Sequence, residues 1–540
     1  MNKEKLEQKG LFQNSKPVKK IGFISIILIV IGSSIGAGIF FKSQTVLENS
    51  GNNLILAIMS WIIAAIAVIA LALALIEISS GRNDNLGIIG WNQTFTNKYI
   101  YKMCKNFMIF IYLPLTYFFM PLYVILSLQD GLAGFGITNH FGTNHDWFIW
   151  TAISLVISAW FIFIPGVFTK IGNAHNIVIL AVKFIPLIAA GILGFVVLGA
   201  TRKAQNIDIN NTTWFAKASL EQGITFFKIS PLIGIFGSLA AIFFAFDGFY
   251  VTAGIQTEMK EPKKLPVALV IGIGVITLIY LIIAISMSIG TKGGDFFGFS
   301  DWLNENKLSW LFGIINICIA IGVLGIINGF SMWAPRFIED LIKANEFWVP
   351  EKYKNKLNNS RPIVGSVIVG FISIGFVLVL TVIGALGYIP SSYVGDYEVE
   401  GSFSMSKLYS FADLMANWIS VITFLFISTA ILGGLFNRKT KKVKITKSKF
   451  FVPSAIISVV IVFLSMFFSF IQPFVDLGIS VSAIATESFS QEKINNSIIG
   501  NSMLILVLFL FLAIIIIPSV VSIYKDKNQT LITNHKNGIK

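Results

Sequence analysis

An all-α membrane fold, crossed twelve times by the chain, is predicted by three features of the sequence. More than half of the residues are apolar, only 13% are charged, and apolar stretches recur from one end to the other. A crossing helix needs about twenty mostly apolar residues, because lipid offers the backbone no hydrogen-bond partners and the segment must satisfy its own amides and carbonyls.

In chain order the predicted spans are 21–45, 54–79, 107–128, 147–165, 176–199, 234–257, 267–290, 309–333, 363–388, 407–434, 451–475 and 499–524. The charges between them alternate. Lysine and arginine crowd the start (Lys3 to Lys20), the loops after even-numbered spans (Lys98, Lys102 and Lys105; Lys260, Lys263 and Lys264; Arg336 to Arg361; Arg438 to Lys449) and the C-terminal tail. The opposite loops carry acids: Asp130 and Asp146, Asp295 and Asp301, and Asp396, Glu398 and Glu400. By the positive-inside rule both ends are expected in the cytoplasm, as an even number of spans requires, and the host bilayer is expected to be the plasma membrane.

The formal charge of +14 therefore reads as a topology signal with attraction to anionic lipid, and no separate basic domain is left to bind nucleic acid. The lysine-rich start leads into an apolar stretch too long for a signal peptide, so 21–45 is kept as a span. Cys104 and Cys318 lie apart, and the four histidines lack metal-ligand spacing; no disulfide, metal or cofactor is expected. A Gly-Lys-Ser/Thr phosphate loop is missing from the sequence, which argues against direct ATP drive and against an enzyme of that class.

Two spans are interrupted. Span one reads Ile31-Gly32-Ser33-Ser34-Ile35-Gly36-Ala37-Gly38-Ile39-Phe40, with three glycines and two serines amid isoleucines. Helix propensity is low there, and unwound backbone at bilayer depth is tolerable only where it lines a cavity or lies inside protein; the alternative is close packing through Gly32-x-x-x-Gly36. Span six reads Phe243-Phe244-Ala245-Phe246-Asp247-Gly248-Phe249-Tyr250, with an acid and a glycine at its centre. An intramembrane carboxylate must face a polar interior, pair, or hold its proton. Spans one and six are the first members of two five-span halves, and interruptions at matching positions point to an inverted-repeat carrier. Opposed half-helices then offer amides to a carboxylate and carbonyls to an ammonium group, which suits a zwitterion.

The stretch Ser33 to Phe40, continued by Val46-Leu47-Glu48-Asn49-Ser50-Gly51 and Trp61, resembles the first two helices of the amino acid, polyamine and organocation superfamily, most closely its L-amino-acid and serine/threonine exchanger branch. The run from Phe243 through Asp247-Gly248 to Thr257-Glu258-Met259-Lys260-Glu261-Pro262 is similar to that family's sixth helix and the loop after it. Weaker likenesses occur at Lys183-Phe184-Ile185-Pro186-Leu187 and at Gly325-x-x-Asn328-Gly329. The segment Gly81 to Trp91 departs from the family pattern, so inner-loop details are not carried over.

The resemblance implies a LeuT-like 5+5 inverted repeat with discontinuous helices 1 and 6. It implies that the amides around Gly36, Ala37 and Gly38 receive a substrate carboxylate, with Ser33 and Ser34 nearby. Carbonyls near Ile35 and from Phe244, Ala245, Phe246 and Asp247 accept the ammonium group, Gly248 completes the unwound turn, and Phe243 or Phe244 closes over the cargo, plain core being the alternative for either ring. Asp247 reads as a counter-charge for a cationic cargo, as a protonatable group, or as a cap for the second half-helix. Lys183 matches a lysine that stands where sodium-coupled relatives hold sodium, bridging spans one and eight, which implies coupling to protons or counter-substrate; a snorkelling lysine is the alternative. Glu77, Glu258 and Lys260 are inner-gate candidates or ordinary interfacial charges.

The expected organisation is a tail (1–20), a first repeat (21–199), an outer loop (200–233), a second repeat (234–436), a basic loop (437–450), two peripheral spans (451–524) and a tail (525–540). The expected activity is secondary amino-acid transport by proton symport or exchange. The rivals are a cationic amino-acid or polyamine carrier that uses Asp247 as charge reader, and a nutrient sensor that does not transport.

Overall fold

The computed structural model describes residues 22–36, 38–82, 86–204, 214–250, 260, 264–390, 402–486 and 490–536. Ala37 and Glu258, two of the residues singled out above, lie outside the described residues, as does the side chain of Ser33.

Among the described residues the architecture is helical, with one isolated bridge between Ser219 and Ile224. The helices are α1 (Phe23–Ser34), α2 (Gly38–Asn49), α3 (Leu54–Ser80), α4 (Gly87–Phe95), α5 (Lys98–Gly134), α6 (Asp146–Phe163), α7 (Thr169–Val182), α8 (Phe184–Thr201), α9 (Pro231–Ala245), α10 (Leu265–Gly290), α11 (Phe299–Glu305), α12 (Ser309–Lys343), α13 (Ile363–Gly387), α14 (Ser402–Thr440), α15 (Phe451–Thr486) and α16 (Gln491–Lys536). Among the described residues ten helical segments are long and apolar enough to cross a bilayer, with α7 and α8 counted as one. The other two expected spans are short apolar pieces: span one is the pair α1 and α2, and the described part of span six is α9. The helices run past the predicted bounds, α12 to Lys343 and α14 to Thr440, because hydropathy marks only the part in hydrocarbon whereas helical hydrogen bonding continues into the interface.

Two departures inside helices have local causes. α5 widens to a π turn at Met108–Tyr112, just before Pro114, which has no amide to offer the Phe110 carbonyl. The fifth span breaks at Lys183 between α7 and α8, three residues ahead of Pro186, whose ring displaces the Val182 carbonyl from regular geometry.

The helices pack in two groups. The first joins α1, α2, α3, α9 and α10; the second joins α5, α6, α12 and α13. α7 lies on α12 of the second group and α8 on α10 of the first, while α14 touches both α3 and α5. Numbered by span, the first group is one, two, six and seven and the second is three, four, eight and nine. A shift of five spans carries each group into itself and exchanges span five with span ten. Five is odd and successive spans alternate in direction, so related spans run oppositely: the packing has the pattern of an inverted repeat.

Lipid removes the hydrophobic drive between helices, so contact rests on small residues and polar stitches. α5 and α12 meet glycine to glycine: a β-carbon on Gly134 would lie 2.5 Å from the Gly313 nitrogen. Tyr117 and Ser331 share a hydrogen bond of 2.8 Å across the same seam, and Ser286 of α10 donates to the Ala190 carbonyl of α8 at 2.6 Å. Large apolar side chains such as Phe371 and Phe509 face outward, as a helix surrounded by lipid requires.

Candidate functional site

Glycine and serine between Ile31 and Gly38 weaken the helix enough for it to part: α1 stops at Ser34, Ile35 turns extended (ψ 110°), and α2 restarts at Gly38. α9 stops at Ala245, turns follow over 246–250, and Gly248 sits at φ 97°, a conformation open to glycine and costly for other residues. The two interruptions touch. A β-carbon on Gly38 would lie 2.6 Å from the Ala245 Cα, and one on Gly36 would lie 2.8 Å from Ile326 of α12.

Tyr280 of α10 ties them together. Its hydroxyl is 3.0 Å from the Ser34 carbonyl oxygen and 2.9 Å from that of Ala245, the last residues of α1 and α9. One proton is thus shared between two helix C-termini, whose terminal carbonyls have no intrahelical donor. The ring is held by Trp61 and by Phe246, at centroid distances of 5.7 and 5.3 Å. Among the described residues the buried Ser34 hydroxyl has no partner.

Lys183 reaches the same place from the fifth span. Its Nζ donates to the Gly32 carbonyl at 3.1 Å, and its Cβ lies 3.7 Å from where a Gly322 side chain would begin on α12. It therefore bonds span five to span one and lies beside span eight. A cavity of about 20 Å³, with Gly36, Lys183, Cys318 and Gly322 on its wall, lies between them.

Asp247 accepts from the Gly248 amide at 3.0 Å and from the Tyr112 hydroxyl at 3.3 Å, and Tyr112 lies 3.2 Å from the Tyr250 hydroxyl. The π turn in α5 ends on Tyr112, so that irregularity and the turn after α9 meet at one carboxylate.

The sequence reading passes over a second cluster one helical turn beyond the break. Lys42 is fully buried on α2, and its Nζ lies 2.5 Å from Asp413 Oδ1 of α14, 3.1 Å from the Tyr123 hydroxyl of α5 and 4.7 Å from the centre of the Phe244 ring. Tyr123 donates to the same Asp413 oxygen at 2.8 Å. The signal was present: Lys42, Tyr123 and Asp413 fall inside the predicted spans 21–45, 107–128 and 407–434, and two intramembrane charges of opposite sign make a natural pair. Phe244 faces this cluster, whereas Phe243 stacks on Phe424 of α14 at 4.6 Å and belongs to the core.

Above the cluster a cavity of about 840 Å³ extends from Phe40, Tyr123 and Asp413 to the acid-bearing loops at His140, Asp295 and Ile389. Asp295, in the loop after α10, accepts from the Gly298 amide at 3.2 Å, and burial holds its carboxyl above the usual carboxylate range.

Glu77 sits elsewhere. It is fully buried, takes a two-point ion pair from Arg438 at 2.7 and 2.6 Å, and accepts the Ser448 amide at 2.6 Å. These contacts fasten α3 to the end of α14 and the basic loop. Lys260 is exposed, and among the described residues no hydrogen bond or ion pair joins it to Glu77.

A family model described as amino acid permease matches residues 21–489. An uncharacterized protein of Mycoplasma pneumoniae is 47% identical over 92% of this chain and 93% of its own length. The serine/threonine exchanger SteT of Bacillus subtilis is 24% identical over 59% of this chain and 67% of its own. Among solved structures, a manganese transporter of Eremococcus coleocola aligns over 93% of this chain and 94% of that one, with 13% identity and a TM-score of 0.49.

Proposed function

The chain belongs to the amino acid permease family, and from that premise we propose that it is a secondary transporter that binds an amino acid between the two broken helices and moves it by alternating access. The observation that carries the reading is the meeting of the breaks at Gly38, Ala245 and Tyr280. The first amides of α2 have no intrahelical acceptor and point toward the gap, where a carboxylate gains from hydrogen bonds and the helix dipole. The terminal carbonyls of α1 and α9 each keep a second lone pair for an ammonium group. Recognition through backbone leaves the cargo side chain loosely specified.

With the basic loops in the cytoplasm, the 840 Å³ cavity is an outer vestibule, and Lys42, Asp413, Tyr123 and Phe244 form the layer between it and the cargo. Lys42 and Phe244 belong to the first helix group and Tyr123 to the second, so this layer crosses the seam along which the groups tilt. Lys183 ties span five to span one through the Gly32 carbonyl, beside Gly322 of span eight, and loss or gain of its proton couples that contact to a proton gradient. Asp247 serves as a capping and positioning carboxylate for the turn after α9.

Purified protein in proteoliposomes tests this with labelled amino acids, with and without an imposed pH gradient or internal unlabelled amino acid. Accumulation above equilibrium is expected under one of the two drives. Failure of every common amino acid to accumulate or exchange contradicts the proposal.

A further inference from the structure

The loop between spans ten and eleven is built as a strap. Residues 441–450 run from the end of α14 to the start of α15 and are fastened along their length. The Asn437 side chain exchanges two hydrogen bonds of 2.9 Å with the Val443 backbone, and the Thr446 amide donates to Ser80 Oγ at 2.9 Å. Ile445 lies 3.1 Å from where a Gly81 side chain would begin, just past the end of α3. Ser448 closes on the Glu77–Arg438 pair: its amide donates to the carboxylate and its carbonyl accepts from the guanidinium, each at 2.6 Å.

What the strap displays is charge. Lys439, Lys441, Lys442, Lys444, Lys447 and Lys449 are all exposed, while Val443 and Ile445 between them are half-buried against the core. None of the six makes an ion pair among the described residues, and Lys449 lies over the neighbouring Phe450 ring, 5.3 Å from its centre. The sequence from Leu414 to Val475 holds no acid, and the nearby Glu77 is already taken by Arg438. Six like charges held together attract anions strongly. Because the backbone is already ordered, binding forgoes little of the freedom that a loose loop would lose. The surroundings narrow the choice of anion. Phe436, Phe450 and Val452 are exposed on either side of the lysines, at the ends of two spans, which puts the patch at the boundary of hydrocarbon and headgroup. Apolar rings beside lysines at that depth fit a lipid surface rather than a soluble polyanion.

We propose that this strap is a docking surface for the phosphate headgroups of anionic phospholipid. The ammonium groups face the phosphates, and Phe436 and Phe450 lie among the upper segments of the acyl chains. Because Ser448 bonds both members of the Glu77–Arg438 pair, a headgroup that steadies the strap also steadies the junction of spans two and ten. The surface requires only that the chain span a bilayer and is independent of the cargo.

The test is native mass spectrometry of the full chain released from neutral detergent with equimolar phosphatidylglycerol and phosphatidylcholine of the same acyl chains. Wild type is compared with a strap variant carrying Lys442→Gln, Lys444→Gln, Lys447→Gln and Lys449→Gln. A tail variant carrying Lys3→Gln, Lys5→Gln, Lys9→Gln and Lys16→Gln changes the net charge equally. Wild type is expected to retain phosphatidylglycerol about fivefold or more over phosphatidylcholine; the strap variant is expected to lose most of that preference and the tail variant to keep it. Phosphatidylglycerol is also expected to raise the melting temperature of wild type by about 2 °C and to leave that of the strap variant unchanged. Equal retention of the two lipids by wild type, or an undiminished preference in the strap variant, overturns the surface. Equal loss of preference in both variants does so too, and means that net charge alone attracts the lipid. An equal rise in melting temperature with inorganic phosphate at the same concentration overturns it in favour of a free anion. Should the strap variant not fold, Lys442→Gln combined with Lys447→Gln decides. Amino-acid uptake without the lipid preference removes this surface and leaves the transport reading intact, whereas the preference without uptake does the reverse.

Discussion

The Tyr280 hydroxyl stands 2.9 Å from the carbonyl oxygen of Ala245, the last helical residue before the break in span six, and its other acceptor is the last residue of α1. Tyr280→Phe keeps the ring against Trp61 and Phe246 and takes away the one donor that serves both helix ends. The expected cost is about 1–3 kcal/mol of stability, seen as a lower melting temperature. Uptake by proteoliposomes is expected to fall with it, because the half-helices lose their common tether. Unchanged melting and unchanged uptake would show that the tether is idle.

Lys42 is fully buried and its partner Asp413 is partly exposed, and removing one partner leaves the other charge stranded at up to about 3–5 kcal/mol. Lys42→Met and Asp413→Leu are each expected to destabilise the protein strongly and to abolish uptake. The double variant is expected to recover most of the stability and none of the transport, since a permanent apolar plug cannot part on cue. A double-mutant cycle on thermal stability measures the coupling. Additive losses would mean that the two side chains do not act as a pair.

Lys183→Met removes the donor to the Gly32 carbonyl and with it a titratable ammonium group at that contact with span one. Uptake driven by a pH gradient is expected to lose its dependence on the gradient, while exchange of internal for external amino acid persists. Proteoliposomes prepared with the two drives separate the outcomes. A variant that keeps gradient-driven accumulation shows that Lys183 is a packing residue.

Glu77 is an inner-gate candidate by position, and its contacts make it a latch between α3 and α14. Glu77→Gln keeps the shape and gives up the charge facing Arg438, so melting is expected to drop while the amino-acid concentration for half-maximal uptake stays within about twofold. A shift in that concentration with unchanged melting would return Glu77 to the gate.

The helical fold and both interruptions are legible in the sequence because each has a local cause: long apolar runs, glycine and serine near Gly36, and a carboxylate beside glycine at Asp247. What is not legible is pairing across long separations. Lys42 meets Asp413 371 residues away, and Tyr280 meets Ser34 246 residues away; hydropathy carries no information on which faces will touch. The same limit explains Phe243 and Phe244. Adjacent side chains on a helix point about 100° apart, so one of them had to face the core, and only packing against Phe424 decides which. The π turn at Met108–Tyr112 is foreshadowed by Pro114, but its use, bringing Tyr112 to Asp247, depends on the tertiary fold.

The central claim is that an amino acid occupies the gap between the broken helices. Substrate protection of a single cysteine at Ser34, whose hydroxyl has no partner among the described residues, tests it most directly. With Cys104 and Cys318 replaced by alanine, the Ser34→Cys chain in proteoliposomes is labelled with a small thiol reagent. A transported amino acid at about ten times its half-saturating concentration is predicted to slow labelling roughly tenfold, by mass action. Labelling at the same rate with and without that amino acid would contradict the account.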